Sequence, residues 1–340
     1  MYDTLIDPAT AVKEYLEARR HELSNQTVQN QRYRLKQFVK WADGVGFDDM
    51  RQLDGRDCES FKLARNQSGL APVTITQQMH TFRVFVRWCG SVGYCKEGLH
   101  ELIRIPPVSA SEERSDDAIA FKRGQRILAY LQQFEYASRK HVIFGILWHT
   151  GLRTGSARAL DVDDIHYDDN GSMYLDVRHR PETDTPLKLQ DGGERHVTVA
   201  NPELASAIDD WIDHKRPPAE DDYGREPLIA STQGRASHTT IRSDVYQVTH
   251  PCLTDNCPHG NDKDSCSYRN RSQSGGCPSA VGPHGIRRSA ITAHLDQGVP
   301  KEIVSERTNV NVDTLEKHYD DRSKEQARTT RQEHIDDLRF

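Results

Sequence analysis

Within Pro283-His284-Gly285-Ile286-Arg287-Arg288, an imidazole and a guanidinium stand three residues apart. On a helix that spacing puts both on one face, where they can meet a single phosphate. Further along, Thr314-Leu315-Glu316-Lys317-His318-Tyr319 offers a phenol. A free phenol has a pKa of ~10 and becomes a nucleophile at neutral pH only beside a base or in cationic surroundings. Upstream, Thr150-Gly151-Leu152-Arg153-Thr154-Gly155-Ser156 presents a second guanidinium after a tight turn. Lys188, the only lysine between Lys140 and Lys215, precedes the turn Asp191-Gly192-Gly193-Glu194. Two guanidiniums can clamp the non-bridging oxygens of a phosphodiester and offset the charge that grows in a pentavalent transition state. A tyrosine activated by His284 and the arginines can then attack phosphorus while Lys188 protonates the departing 5′ oxygen. Singly, each has an ordinary reading: a turn cap, a helix N-terminal histidine, a half-buried tyrosine. Their convergence on one substrate makes the chemistry specific.

The elements that must position these groups follow from patterning. At 340 residues the chain is expected to form more than one core. The longest apolar run, near Val142–Trp148, is far shorter than the ~20 residues of a membrane span, so a soluble, cytoplasmic protein is expected. The net charge of -6 argues weakly against nucleic acid, but it hides distribution. Residues 1–105 hold about as many Lys and Arg as Asp and Glu, while acids gather at Asp161–Asp169, Asp209–Asp213 and Glu220–Asp222, read as solvated faces.

Residues 1–105 read as a helical module, with helices over 9–42, near Arg56–Arg65 and over Thr74–Val92, and with Gly44 and Gly46 as stops. Arg32, Arg34, Lys36 and Lys40 on one helix and Thr76, Gln77, His80 and Arg83 on another suit phosphate and base-edge contacts. Residues 106–118, opening on Pro106-Pro107, read as a linker. The remainder, 119–340, reads as helices near Ile119–Phe134, Ser138–His149, Pro202–His214, Thr239–His250, Pro283–Gln297, Lys301–Arg307 and Val312–Tyr319. Alternating Met173, Leu175, Val177 and Val197, Val199 mark a hairpin. The expected fold class is mainly α with a small antiparallel β-sheet.

Thr150-Gly151-Leu152-Arg153, Lys188 with Arg195-His196-Val197, His284-Gly285-Ile286-Arg287 and Leu315 with Tyr319 together resemble the tyrosine recombinase (phage integrase) family. The N-terminal module is similar to that family's SAM-like core-binding domain, which with the catalytic domain would close a clamp on DNA. The resemblance implies that Arg153 and Arg287 clamp the phosphate, Lys188 is the general acid, His284 the acid/base histidine, and Tyr319 the nucleophile that becomes linked to a 3′ phosphate. It implies duplex DNA as partner, a homo-oligomer that is tetrameric at synapsis, and neither ATP nor a catalytic metal. Ser156 stands where the family has an acidic residue. Asn309 is the best match to the family's His or Trp ahead of the nucleophile, and as an amide it can still donate to a phosphate oxygen. A non-catalytic DNA-binding protein of this fold and a type IB topoisomerase-like enzyme are the alternatives.

Cys252, Cys257, Cys266 and Cys277 lie in a Gly-, Pro- and Asp-rich insertion over 251–278. Thiols so grouped in an intracellular protein are expected to hold a structural zinc, with His250 or His259 able to replace one; free thiols are the alternative. The tail 320–340, with Arg328, Arg331, Ile335 and Leu338, is expected either to pack on a neighbouring protomer or to form a polar helix.

Overall fold

The computed structural model describes residues 5–108 and 117–319, apart from the side chains of Asn25, Gln26 and His318. The expected linker falls partly, and the expected tail wholly, outside the described residues. The chain separates into two compact units, Met1–Arg114 and Ser115–Phe340.

In the first unit α1 is Pro8–Ala18, α2 Asn25–Val45, α3 Gly55–Asn66 and α4 Pro72–Ser91. Their starts are chemically marked. Asp7 accepts from the amides of Ala9 and Thr10 at 3.0 Å, with Pro8 at the first helical position, and Asp54 and Asp57 form a reciprocal capping box on α3. Helix α2 continues through Gly44 and ends at Gly46, whose φ of 71° is the left-handed conformation glycine adopts freely. The core is aromatic: the Phe38 ring lies 4.7 Å from Phe82 and 5.5 Å from Phe61, and Tyr15 meets Phe85 edge-on at 5.4 Å.

The second unit is built around α6 (Arg139–Thr150), which follows α5 (Phe121–Phe134). Val142, Ile143, Phe144, Ile146 and Leu147 of α6 are all fully buried. A helix apolar all round belongs at the centre of a core. Gly151, at φ 63°, ends it, and the chain turns through buried Leu152 into α7 (Thr154–Ala159).

Three antiparallel strands follow, β1 (Ile165–Tyr167), β2 (Met173–Val177) and β3 (Arg195–Thr198), in the order β1-β2-β3. Pairing runs Ile165↔Leu175 and Val177↔Arg195. Met173, Leu175, Val177 and Val197 face the core. The anticipated hairpin pair is β2 and β3; β1, only three residues long and set within the acidic stretch Asp161–Asp169, carries no alternation of its own. That stretch needs correcting. Asp161 and Asp164 are 6% and 1% exposed and paired with Arg180, Arg225 and Arg235. Asp221, from the Glu220–Asp222 stretch likewise expected to be solvated, pairs with Arg225 and Arg235 and balances the network, and Arg235 donates to the carbonyl of Arg158 at 2.8 Å, tying it to α7.

Helix α8 (Pro202–Asp210), a short pair β4 (Ala230–Ser231) and β5 (Gly234–Arg235), and α9 (His238–Val248) complete the frame. Helices α10 (Pro283–Asp296), α11 (Lys301–Thr308) and α12 (Val312–His318) close it. Ile291, Leu295, Val304, Val310 and Leu315 form a small separate core that joins them, with Tyr319 packed against it.

Gly285 explains one letter of the His-Gly-Ile-Arg motif. A Cβ there would stand 2.2 Å from the Asp117 carbonyl oxygen and 2.3 Å from Val281 Cγ1. The Asp117 carbonyl belongs to the segment held on α10 by Ile119 N–H donating to Ser289 Oγ at 2.8 Å. Gly285→Ala is therefore expected to cost at least about 1–3 kcal/mol through overpacking. Chemical denaturation of the variant beside wild type checks this.

Candidate active site

Each candidate group reaches the site from a different element. Arg153 is the residue immediately before α7 and forms no side-chain cap. Its guanidinium has no hydrogen-bond acceptor among the described residues, and burial holds its pKa below the ordinary range, opposed by the nearby Tyr319 phenol. Arg287 projects from α10 and is 3% exposed. It donates to the carbonyl oxygen of Gly151 and, at 2.9 Å, to that of Thr308. Burial and the neighbouring Arg153 push it down to about 10, and Tyr319 works in the other direction. His284 lies in the first turn of α10, exposed towards the cleft. Partial desolvation, then Arg287, Arg288, Lys188 and Arg153, holds its pKa below the usual histidine value, so the ring is neutral at pH 7.

Tyr319 closes α12, its N–H donating to the Leu315 carbonyl at 3.0 Å. Because Leu315 is fully buried, the phenol is placed by a packed helix. Arg153, Thr154, Lys188, Pro283, His284, Arg287, Val310, Thr314 and Tyr319 line one cleft of about 350 Å³. No carboxylate among the described residues lines it. In contrast to the ionic network around Asp161, the cleft holds positive charge that only an incoming anion can balance.

Lys188 precedes the turn, as read from the sequence; what differs is the kind of turn. It stands in the long connection between Val177 and Arg195, exposed in the turn Leu187–Gln190, and not on a paired strand. The turn residues Asp191-Gly192-Gly193 form part of a 3₁₀ turn, Gln190–Gly193. Asn309 also differs: it is the left-handed cap of α11, φ 52°, and its amide donates to the Gly192 carbonyl at 3.3 Å. It lines a larger groove beside the cleft, together with Arg153, Lys188, Arg195 and Arg307. Ser156 is buried at 7% exposure.

Arg195 and Arg307 carry roles the sequence reading missed. Arg195 donates to the Arg307 carbonyl at 3.0 Å and the Gly193 carbonyl at 2.6 Å. Burial, Arg153 and Arg307 push its pKa down to about 10. Arg307 donates to the His149 carbonyl at 3.0 Å. Arg195 and Arg287 thus bind the last carbonyls of α11, the negative end of that helix. One signal was available for Arg195: strand alternation puts it on the inward face with Val197, an unusual place for a charge.

In the first unit Arg32, Lys36, Lys40 and His80 are exposed. Arg34 donates to Gln77 at 2.8 Å and to Thr81 at 3.3 Å, which links α2 to α4. Thr76 and Arg83 are engaged by the carbonyls of Pro106, at 3.0 Å, and Ile103, at 3.1 Å, so both have structural partners in this state.

The zinc expectation finds no support. Among the described residues no three of His, Cys, Asp or Glu are gathered to hold a metal ion. His250 Nε2 is paired with the Ser274 carbonyl and His259 Nε2 with Ser279 Oγ, both at 2.9 Å. The insertion is instead tied to the fold by Arg271 on buried Asp244, by Arg126 on Asp255, and by Arg123 donating to the Ser279 carbonyl. No helix among the described residues is long and apolar enough to cross a membrane.

Comparison with known proteins bears on both units. Residues 12–91 match the family described as phage integrase, N-terminal SAM-like domain. The tyrosine recombinase XerC of Mycobacterium leprae is 23% identical over 275 residues, 80% of each chain. The fold is shared with the Tn1549 transposon integrase in complex with a circular intermediate DNA, with TM-score 0.67 and 14% identity over 98% of this chain and 100% of that one. It is shared also with the XerH site-specific recombinase bound to its difH substrate, with TM-score 0.63 and 12% identity over 98% and 85% of the two chains. Residues 12–91 thus match a phage integrase domain, and the chain as a whole shares the fold of these recombinases and is similar in sequence to XerC, with a cleft ordered Arg, Lys, His, Arg, Tyr along the sequence.

Proposed function

We propose that the protein is a site-specific DNA recombinase that cuts and rejoins duplex DNA through a covalent 3′-phosphotyrosyl intermediate. The observation that carries this reading is the placement of the Tyr319 phenol with Arg153, Arg287, His284 and Lys188 around one cleft that no carboxylate among the described residues lines. Arg153 has its guanidinium unpaired among the described residues, ready for a phosphate oxygen, and Arg287 is fixed by the two carbonyls it holds. Tyr319 Oη attacks phosphorus and the P–O5′ bond breaks. The phenol proton passes to neutral His284, and Lys188 Nζ gives a proton to the 5′ oxygen. The reverse steps reseal a strand, and because the phosphotyrosine bond preserves the phosphodiester's energy, no nucleotide cofactor is needed. The two guanidiniums neutralise the transition-state charge, so no catalytic metal is called for.

Exposed Arg32, Lys36, Lys40 and His80 are the first unit's contacts to duplex DNA on this reading, and residues 1–105 and 119–340 act as clamp and catalytic domains. Strand exchange between two duplexes requires an assembly, for which a homotetramer at synapsis is the simplest symmetric form. The test is incubation with a nicked suicide duplex followed by denaturing electrophoresis. A DNA-linked band supports the reading, and its absence with every duplex tried would favour a DNA-binding protein that only keeps the fold.

His284 sets the pH dependence. Its folded-state pKa lies below the ordinary value, so the neutral base persists above about pH 6.5 and is lost as pH falls through that depressed pKa. Single-turnover cleavage is expected to be flat from pH 7 to 8 and to decline on the acid side, and His284→Gln is expected to remove that acid limb.

A further inference from the structure

Lys188 has no hydrogen-bond partner among the described residues and is exposed, so its backbone loop alone decides where its ammonium can reach. That loop is fastened at a definite place. Asn309 Nδ2 donates to the Gly192 carbonyl at 3.3 Å, and Arg195 donates both to the Gly193 carbonyl, at 2.6 Å, and to the Arg307 carbonyl, at 3.0 Å. The junction leaves little room: a Cβ on Gly193 would lie 3.1 Å from Leu187 Cβ and 3.4 Å from Asn309 Nδ2. Leu187, the residue before Lys188, is itself 5% exposed and anchored in the core. On the other side of the junction, Arg307 and Asn309 are the end of α11, from which the chain runs directly into the helix that carries Tyr319.

Resting on the reading of Lys188 as proton donor, we propose that Asn309 and Arg195 are positioning residues that latch the Lys188 loop to the tyrosine-bearing segment. Leaving-group acid and nucleophile are thereby set by one piece of structure. The latch also accounts for Asn309 itself. Asparagine tolerates the left-handed cap, and its amide is directed at Gly192, while the cleft that holds Tyr319 is lined without it. Arg195 keeps its place although its Nη2 is buried with no acceptor among the described residues, an arrangement that is ordinarily costly.

The test compares single-turnover cleavage of a nicked suicide duplex carrying the normal 5′ oxygen with one carrying a bridging 5′ sulfur at the scissile position. With sulfur, Tyr319 Oη bonds to phosphorus, the P–S bond breaks and a thiolate departs without needing a proton, because thiols ionise near pKa ~8.5. The proteins are wild type, Lys188→Ala, Asn309→Gly and Arg195→Gln; glycine keeps the left-handed backbone of residue 309 unstrained. Asn309→Gly and Arg195→Gln are expected to cut the oxygen duplex roughly 10²-fold more slowly, the low end of a lost general acid, and to cut the sulfur duplex at the wild-type rate. If Lys188→Ala is rescued by sulfur while Asn309→Gly stays slow on both duplexes, the amide acts on the phosphate and the latch is overturned. Wild-type speed of Asn309→Gly on the oxygen duplex overturns it equally. Failure of sulfur to rescue Lys188→Ala would instead remove the assignment of Lys188 on which the latch rests.

Discussion

Tyr319→Phe is expected to abolish the DNA-linked species and to reduce strand cleavage by roughly 10⁴-fold or more, the scale seen when a covalent nucleophile is removed. The ring packs on the core formed by Ile291, Leu295, Val304, Val310 and Leu315, and phenylalanine keeps that packing. DNA binding and thermal stability should therefore remain near wild type, and a mobility-shift assay beside a melting curve separates loss of chemistry from loss of fold. Retention of the adduct in the Phe variant would mean that another side chain is the nucleophile.

The two arginines proposed as the phosphate clamp are expected to differ in what their loss does to the fold. Arg287→Gln removes a guanidinium that holds the carbonyls of Gly151 and Thr308 from a buried position. Each buried carbonyl left unpaired costs about 1–3 kcal/mol, and the missing phosphate contact costs a further 10²–10³-fold in rate. Melting temperature and cleavage should fall together. Arg153→Ala should lower cleavage by a comparable factor but leave stability within about 0.5 kcal/mol, since Arg153 holds nothing among the described residues and its charge is disfavoured by burial. Paired denaturation and single-turnover measurements check the contrast. Arg287→Lys should not restore the rate, because an ammonium cannot reproduce the fork that spans two carbonyls and a phosphate.

Much of this cleft's composition could be read from residue types because the phosphoryl transfer proposed for it would demand them in combination. Arg153, His284, Arg287 and Tyr319 are separated in sequence, and the structure gathers them because α7, α10 and α12 each follow a turn or cap with its own local signal: Gly151 before Arg153, Pro283 before His284, Asn311 before the last helix. The helices were legible from 3.6-residue periodicity, and the structure adds the caps that start two of them, Asp54 and Ser138.

What escaped depended on pairing at a distance. Asp161 and Asp164 look like surface acids until Arg180, Arg225 and Arg235, supplied from far along the chain, are brought to them. Periodicity could not show that Arg83 and Thr76 also hold the carbonyls of Ile103 and Pro106. The position of Lys188 could not be fixed by a hairpin signal, because Gly192 and Gly193 serve a 3₁₀ turn packed against Leu187 and Asn309. The cysteine spacing suggested a metal, yet the histidines nearby are paired with Ser274 and Ser279, and arginines from other elements hold the insertion.

The central claim, that Tyr319 becomes bonded to DNA, is tested most directly by mapping the bond itself. The protein is trapped on a nicked suicide duplex, digested with trypsin and nuclease, and the nucleotide-bearing peptide is sequenced by tandem mass spectrometry. The expected result is a nucleotide 3′-phosphate on Tyr319, carried on the peptide that follows Lys317. A nucleotide on any other residue, or a trapped duplex with no covalently modified peptide, would contradict it.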